Sequence, residues 1–385
     1  MAGLRVLELS LRYPPVIGGV EATLGQLVDR LRDAGLDVRV ATSDLARVRP
    51  FSRLASDAAG ASRPGVDRYR AVRTLPLPLG LGIAVPGMLR AALLAPVDVL
   101  HAHAFGYFPT WAGALARRWR DVPLVITPHS DVGRGLTFSG VYHRAVAAAT
   151  LRGADRVIAQ STVERQFLTG LGVKSERIAI LPTGIVTADY AAAPRSARRE
   201  RVQALCVGRL ELQQKGLESL LQAVAQLPAG SGLSLRLVGD DWGGRAPLLR
   251  LADRLGVRDR VTIDAGLATS EVVAAYRDAD LFVLPSRFES FPRVILEAMA
   301  SGLPIVATRV GSVAEMVAEG RNAWLVPPDD PGALAQALAT LAGDATTRDR
   351  WGEESRRRAA EYDWSRLTPR YVALLEEVAA NGRTG

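Results

Sequence analysis

Short apolar runs alternate along the chain with longer segments whose apolar positions recur at helical spacing. In the first half the strand-like runs are residues 4–9, 38–42, 97–101, 124–127, 156–159 and 178–181. Several carry apolar residues at consecutive positions, as strands buried on both faces do. Helical patterns such as 21–34 and 162–171 lie between them, and residues 45–75 read as an irregular loop. Small residues, Pro and clustered Arg over residues 190–200 read as a linker. The alternation then restarts, with strand-like runs at 204–207, 235–238, 261–264, 281–284, 305–307 and 324–326. The tail from 331 to 380 is mostly helical, with a break near Tyr362 to Ser365. Strand–helix alternation predicts parallel sheets covered by helices. The expected architecture is α/β: two Rossmann-like, doubly wound domains over 1–190 and 191–364, facing a central cleft. A helix over 365–385 would pack back on the first. Ligands of such sheets bind outside the carboxyl ends of the strands.

Composition changes this picture only at a few points. The 385 residues suffice for two cores, and 48% hydrophobic with 23% charged residues excludes wholesale disorder. Cys206 is the single cysteine, which excludes an internal disulfide and any zinc site built on several cysteines. No run reaches the roughly 18 uncharged apolar residues of a spanning helix, and the mildest candidate, 75–85, contains Pro76, Pro78 and Gly80. The strand-like run beginning at residue 4 leaves no room for a signal peptide, so the expected location is the cytoplasm.

The net charge of +8 is unevenly placed. Residues 1–190 hold 23 Lys and Arg against 15 Asp and Glu, and residues 191–385 hold 25 against 25, so 23 − 15 accounts for the whole excess. That asymmetry points to an anionic partner for the first half, a membrane surface or an anionic acceptor, or else to a solvated arginine-rich surface. The segment from Trp111 to Arg120 pairs aromatic and basic residues at helical spacing, which suits a peripheral membrane contact and equally a core helix with a basic outer face. The neutral second half, without aromatic–basic interleaving, argues against nucleic acid.

Three motifs fall at the carboxyl ends of strand-like runs in the second half: Gly208-Arg209-Leu210 with Lys215-Gly216, Gly239-Asp240-Asp241, and Glu289-Ser-Phe-Pro-Arg-Val-Ile-Leu-Glu297. Pro292 suits the first turn of a helix, where its missing N–H costs nothing. The N–H groups and positive dipole end of that helix suit a diphosphate. Carboxylates at Glu289 and Glu297 can accept bonds from vicinal hydroxyls. Two carboxylates beside a diphosphate need cations, which Arg209 offers as a bidentate fork and Lys215 as a point charge. Only two lysines stand among 48 basic residues, so composition gives no reason for a lysine at 215.

In the first half, Gly18-Gly19 follows the first strand and opens a helix, where backbone can approach a ligand closely. His129 ends another strand. His101 and His103 share one face of a strand at period two, with no third metal ligand evident, so no metal is expected there. Asp278-Ala279-Asp280 imitates a metal motif but reads as a helix terminus.

Together these motifs, with Glu297-Ala-Met-Ala-Ser-Gly-Leu-Pro-Ile-Val-Ala-Thr308, resemble the retaining GT-B glycosyltransferases of family 4, and the resemblance spans nearly the whole chain. It implies a donor site in which Arg209 and Lys215 hold the diphosphate of a nucleotide sugar, Glu289 the transferred sugar and Glu297 the ribose. Backbone at Gly18, Gly19, Phe291, Arg293 and Val294 would face the phosphates, and the loop at Gly266 the base. His129, Arg209, Lys215 and Glu289 would be the catalytic set, with His103 and His129 toward the acceptor. The implied reaction moves a sugar from a nucleoside diphosphate sugar, UDP- before GDP-, to a hydroxyl of a lipid, glycan or small molecule, without metal or other cofactor. A phosphorylase would need a cofactor-bearing lysine, which two lysines make improbable. A non-catalytic nucleotide-sugar-binding module and a GT-B hydrolase or epimerase are the alternatives. One departure from the pattern is Pro292, where many relatives carry Gly, which removes a backbone donor near the phosphates.

Overall fold

The computed structural model describes residues 3–47, 51–55, 63–73, 82–130, 148–191, 201–228 and 230–382. The expected linker lies mostly at 192–200, outside the described residues, as does Asp131 next to the His129 motif. The chain divides into two compact units, Met1–Gly184 with Trp364–Gly385, and Ile185–Asp363. The first unit therefore ends at Gly184 rather than 190, because the next residues belong to the second. Ile185 N donates to Tyr362 O at 2.9 Å, and the Tyr190 ring meets Tyr276 edge-on at 5.7 Å.

The first unit is built on strands β1 (Arg5–Leu9), β2 (Asp37–Ser43), β3 (Val66–Tyr69), β4 (Val99–His103), β5 (Leu124–Thr127), β6 (Arg156–Ala159) and β7 (Ile178–Ile180). They form one parallel sheet in the order β7-β6-β5-β4-β1-β2-β3. Its longer helices are α1 (Gly19–Asp33), α2 (Pro86–Leu94), α3 (Phe108–Trp119) and α4 (Thr162–Gly170). Strand β3 was not legible in the sequence: Val-Asp-Arg-Tyr carries one fully apolar position, and it is an edge strand that needs no more. Strand β4 sits two residues later than its apolar run because polar His101 and His103 are buried within it.

The second unit repeats the scheme with β8 (Val202–Val207), β9 (Leu233–Gly239), β10 (Val261–Ala265), β11 (Leu281–Leu284), β12 (Ile305–Thr308) and β13 (Ala323–Val326), ordered β10-β9-β8-β11-β12-β13 and all parallel. Its helices are α5 (Leu217–Gln226), α6 (Arg245–Arg254), α7 (Thr269–Asp278), α8 (Arg293–Ala300), α9 (Pro331–Gly343) and α10 (Ala345–Ala359). The order reverses between β8 and β11, and such a switch point opens a crevice at the carboxyl ends of the strands. Asp278 is the last residue of α7 and Asp280 accepts from Gln203 N at 2.8 Å, which gives the Asp-Ala-Asp run a structural task. Helix α9 starts with Asp330 as N-cap, accepting from Ala333 N at 2.9 Å, and Pro331 at its first position. Asp330→Ala should cost about 1 kcal/mol of stability, read from the urea midpoint of the full chain; an unchanged midpoint would show the cap to be idle.

The final helix α11 (Trp364–Gly382) belongs to the first unit. Trp364 is buried, donates from Nε1 to Gln26 Oε1 on α1 at 2.9 Å, and lies where any side chain at Gly184 would collide with its ring.

Candidate functional site

In the second unit the carboxyl edge of the sheet carries a charged cluster. The loop after β8 runs Gly208-Arg209-Leu210-Glu211, and the Glu211 carboxylate folds it by accepting from Gln214 N at 3.0 Å and Lys215 N at 3.1 Å. Gly216 then caps α5 in the left-handed region, φ 59°, and a Cβ there would stand 2.1 Å from Pro285 O. Only glycine fits that approach. The loop after β11 is stitched to it, with Arg287 N donating to Gln214 O at 2.7 Å and Gln214 Nε2 to Phe288 O at 3.1 Å. This brings Lys215 Nζ to 2.7 Å from Glu289 Oε1, an oxygen that also accepts from Ser286 Oγ at 2.7 Å. Both charged side chains are largely buried. The Lys215 stem rests over Gly208, whose Cβ would lie 3.4 Å from Lys215 Cε. Gly311, φ 50°, closes the other side, where a Cβ would come 1.9 Å from Glu289 O.

Arg209 stands apart from this pair. Its guanidinium donates to Gln214 Oε1 at 2.7 Å and lies 4.8 Å from the centre of the half-exposed Trp242 ring. Trp242, after the Gly239-Asp240-Asp241 turn, was missed by sequence reasoning; its signal was an aromatic residue in a strand-end loop rich in Gly and Asp. Gly266 follows β10 with φ 72°, and the space where its Cβ would stand is open.

Helix α8 begins at Arg293, so Pro292 is its N-cap rather than a first-turn residue, a position Pro fits because its φ of −72° and ψ of 103° are extended. Glu297 is then four residues into the helix and is not bare. It accepts from Arg293 Nε at 2.9 Å and from Tyr276 OH at 2.9 Å. Burial pushes the Tyr276 hydroxyl well above its ordinary pKa, and the Glu297 charge adds to this, so it remains a donor. The Arg293 guanidinium is buried and paired with Glu297. Phe291, half-buried, has its ring centre 6.1 Å from that of Tyr362.

In the first unit, Gly18 and Gly19 open α1, but Glu21 turns back over them. A Cβ on Gly18 would stand 2.0 Å from Glu21 Oε2, and Arg12 pairs with Glu21 at 2.6 Å. Gly19 faces open space. His129 follows β5 at φ 49°, rare for a side-chain-bearing residue. The expectation that His101 and His103 lack a third ligand-type neighbour does not hold: Glu8 on β1 pairs in register with His101, and its carboxylate touches both imidazoles. Sequence reasoning missed Glu8 because a single carboxylate inside an apolar strand was taken as part of the strand. The clue was that a buried carboxylate requires partners. Burial works against its charge, yet His101 and His103 hold its pKa at about 2. No helix among the described residues is long and apolar enough to cross a membrane.

Two parallel-sheet units of this kind, the second with lysine, glutamate and a helix N-terminus at the switch edge of its sheet, define a GT-B fold. The family profile described as Glycosyl transferases group 1 matches residues 192–358, and that described as Glycosyltransferase Family 4 matches residues 17–189. D-inositol 3-phosphate glycosyltransferase 1 of Catenulispora acidiphila is 30% identical over 95% of this chain and 92% of its own. Among solved structures, sucrose-phosphate synthase of Thermosynechococcus elongatus superposes with a TM-score of 0.82 at 23% identity, covering 98% of this chain and 100% of its own. The Anabaena protein HepE in complex with UDP gives 0.77 at 23% identity, covering 97% and 100%. The chain belongs to the family 4, group 1 glycosyltransferases.

Proposed function

We propose that this glycosyltransferase moves a hexose from a nucleoside diphosphate sugar, with UDP favoured over GDP, to an acceptor hydroxyl with retention at the anomeric carbon. The observation that carries the reading is the buried Lys215–Glu289 pair at the switch edge of the second sheet. Lys215 supplies a point charge for the leaving diphosphate, and Glu289 keeps its second oxygen for the hydroxyls of the sugar. Arg209 adds a fork on the solvent side, and the N–H groups of Arg293 and Val294 at the start of α8 complete the anion site. Glu297 accepts from the ribose with the lone pairs that Arg293 and Tyr276 leave. Charge develops on the diphosphate oxygen as the C1–O bond breaks, so preorganised cations and N–H groups lower the barrier most. The acceptor oxygen bonds C1 on the same face, and its proton passes to the departing phosphate oxygen. No metal step is needed, because the cations are the protein's own. The UDP complex of HepE supports a uridine donor.

The test is incubation with labelled UDP-, GDP- and ADP-hexoses and a panel of acceptors in the presence of EDTA, with the product anomer assigned by NMR. A retained α-linkage from one UDP-sugar is the expected result. Turnover only with added divalent metal, or an inverted product, would overturn the mechanism, and hydrolysis without transfer would favour the hydrolase alternative.

A peripheral membrane contact is favoured by one further observation. Trp119 at the end of α3 is 73% exposed and Leu94 at the end of α2 is 66% exposed. Arg120 ties those two helix ends by donating to Ala92 O and Ala95 O, both at 2.7 Å. Arg90 and Arg118 are exposed on the same two helices. Trp111, by contrast, packs on the core. Trp119→Ala should reduce co-sedimentation with anionic vesicles about fivefold and leave neutral vesicles unaffected. Equal binding to both vesicle types by the wild type would remove the contact.

A further inference from the structure

The Glu8 cluster reaches further than its own buried corner. Glu8 Oε2 lies 2.7 Å from His103 Nε2 and 3.0 Å from His101 Nδ1. His101 Nε2 in turn lies 2.8 Å from Thr127 Oγ1, and His103 Nδ1 lies 3.3 Å from His129 Nε2. The rings of His103 and His129 stack with centres 5.5 Å apart. Glu8, His101 and His103 are buried, while His129 is partly open.

The chemistry of these atoms fixes the direction of the chain. An ionised carboxylate only accepts, so His103 Nε2 carries its hydrogen. In a neutral imidazole the other nitrogen is then bare, so His103 Nδ1 accepts, and His129 Nε2 must be the donor. That leaves His129 Nδ1 as the bare, accepting nitrogen. Both rings stay neutral near pH 7, since burial and then the neighbouring imidazoles lower the pKa of His103, and that of His129 to about 3.

The backbone of His129 is held from the opposite direction by a second buried carboxylate. Glu164 accepts from Ser130 N at 2.9 Å, from Ser130 Oγ at 2.7 Å and from Gln160 N at 2.7 Å. Two independent anchors therefore set one strained residue, one through its ring and one through the next peptide.

We propose that Glu8 and His103 are positioning residues acting through His129, holding it as the neutral Nε2–H tautomer with Nδ1 presented as acceptor to a hydroxyl of the transferred sugar or the acceptor. The proposal rests on the reading of His129 as a substrate-contacting residue. The same Glu8, His101 and His103 set is of the type that binds zinc, but its spacing argues for the relay. Oxygen–nitrogen separations of 2.7 and 3.0 Å are hydrogen-bond lengths. Ligand atoms around a tetrahedral metal with bonds of about 2.0–2.1 Å stand about 3.3 Å apart.

The wild-type protein gives the first test, because the chain has only four histidines. In ¹⁵N-histidine NMR at neutral pH, His103 and His129 should each show a protonated Nε2 and a bare Nδ1. A cationic His103, a protonated Nδ1 on either ring, or a stoichiometric bound metal would overturn the relay. In kinetics, Glu8→Gln and His103→Gln should lower kcat roughly ten- to a hundredfold with KM for the nucleotide sugar within about twofold. His129 should lose its single tautomer in both. Adding Glu8→Gln to His129→Ala should cost nothing more than His129→Ala alone. If His129→Ala itself transfers at the wild-type rate, the reading of His129 fails. If His129→Ala is slow while folded Glu8→Gln and His103→Gln are not, the relay alone fails. Should both variants misfold, the wild-type spectrum still decides.

Discussion

Replacing Lys215 with alanine should slow glycosyl transfer about a hundredfold while the chain keeps its fold, an effect of the size seen when one preorganised charge-stabilising group is removed. Two losses combine. The leaving diphosphate loses its compact cation, and Glu289, itself buried, loses the ammonium at 2.7 Å that compensates its carboxylate. Ser286 Oγ remains as a partner for Glu289, so the pocket persists without its charge balance. Lys215→Arg should recover little, because a planar fork does not fit a stem laid over Gly208 and an oxygen meant for a point donor. The measurement is single-turnover transfer from the labelled donor, with the thermal melt as control. Wild-type rates in Lys215→Ala would remove the pair from the mechanism.

Arg293→Ala should be the most destabilising single change at the site, by about 3–5 kcal/mol, because it strands Glu297 in a largely enclosed position. The Tyr276 hydroxyl would be the remaining bond among those seen at 2.9 Å, too little for an ionised carboxylate. Burial lowers the pKa of Arg293 while the Glu297 and Tyr190 neighbours raise it, with a net rise, so the guanidinium is a fixed charge at every working pH. The double change Arg293→Met with Glu297→Leu should restore most of the stability, since apolar replacement of a buried pair is often neutral. It should not restore donor binding, which separates the structural task of the pair from the ribose contact assigned to Glu297. Urea unfolding and donor titration on the same three proteins give both answers. A loss under about 1 kcal/mol in Arg293→Ala would mean that Glu297 finds water instead.

Much of this architecture was legible because alternating strand and helix periods leave few topologies. Strands such as 124–127, 156–159 and 281–284 match their apolar runs residue for residue. What was hidden falls into two kinds. Strand β3 is polar because it is an edge, and β4 is displaced because histidines occupy its buried positions; both defeat a pattern built on hydrophobicity. Glu8, Glu164, Tyr276 and the Arg293 guanidinium were hidden for another reason. Each is a buried polar group whose meaning lies in a partner the apolar pattern does not mark, four positions away for Arg293 and Glu297 and 93 positions away for Glu8 and His101. A one-dimensional reading registers Lys215 and Glu289 through their motif, but it does not register that the motif's other charges are already spoken for.

The end of the chain has one more consequence. Helix α11 is translated after every residue of the second unit, yet Trp364 and Tyr371 fill the first: Trp364 bonds Gln26, and Tyr371 OH reaches the carbonyls of Leu181 and Pro182. During synthesis the second unit can close as soon as it clears the ribosome, while the first waits with an open seam along α1 for a helix not yet made. Domains usually mature in the order they emerge. Here the order is inverted, and it is the earlier-made half, with its basic surface and its buried histidines, that stays incomplete until the last helix arrives.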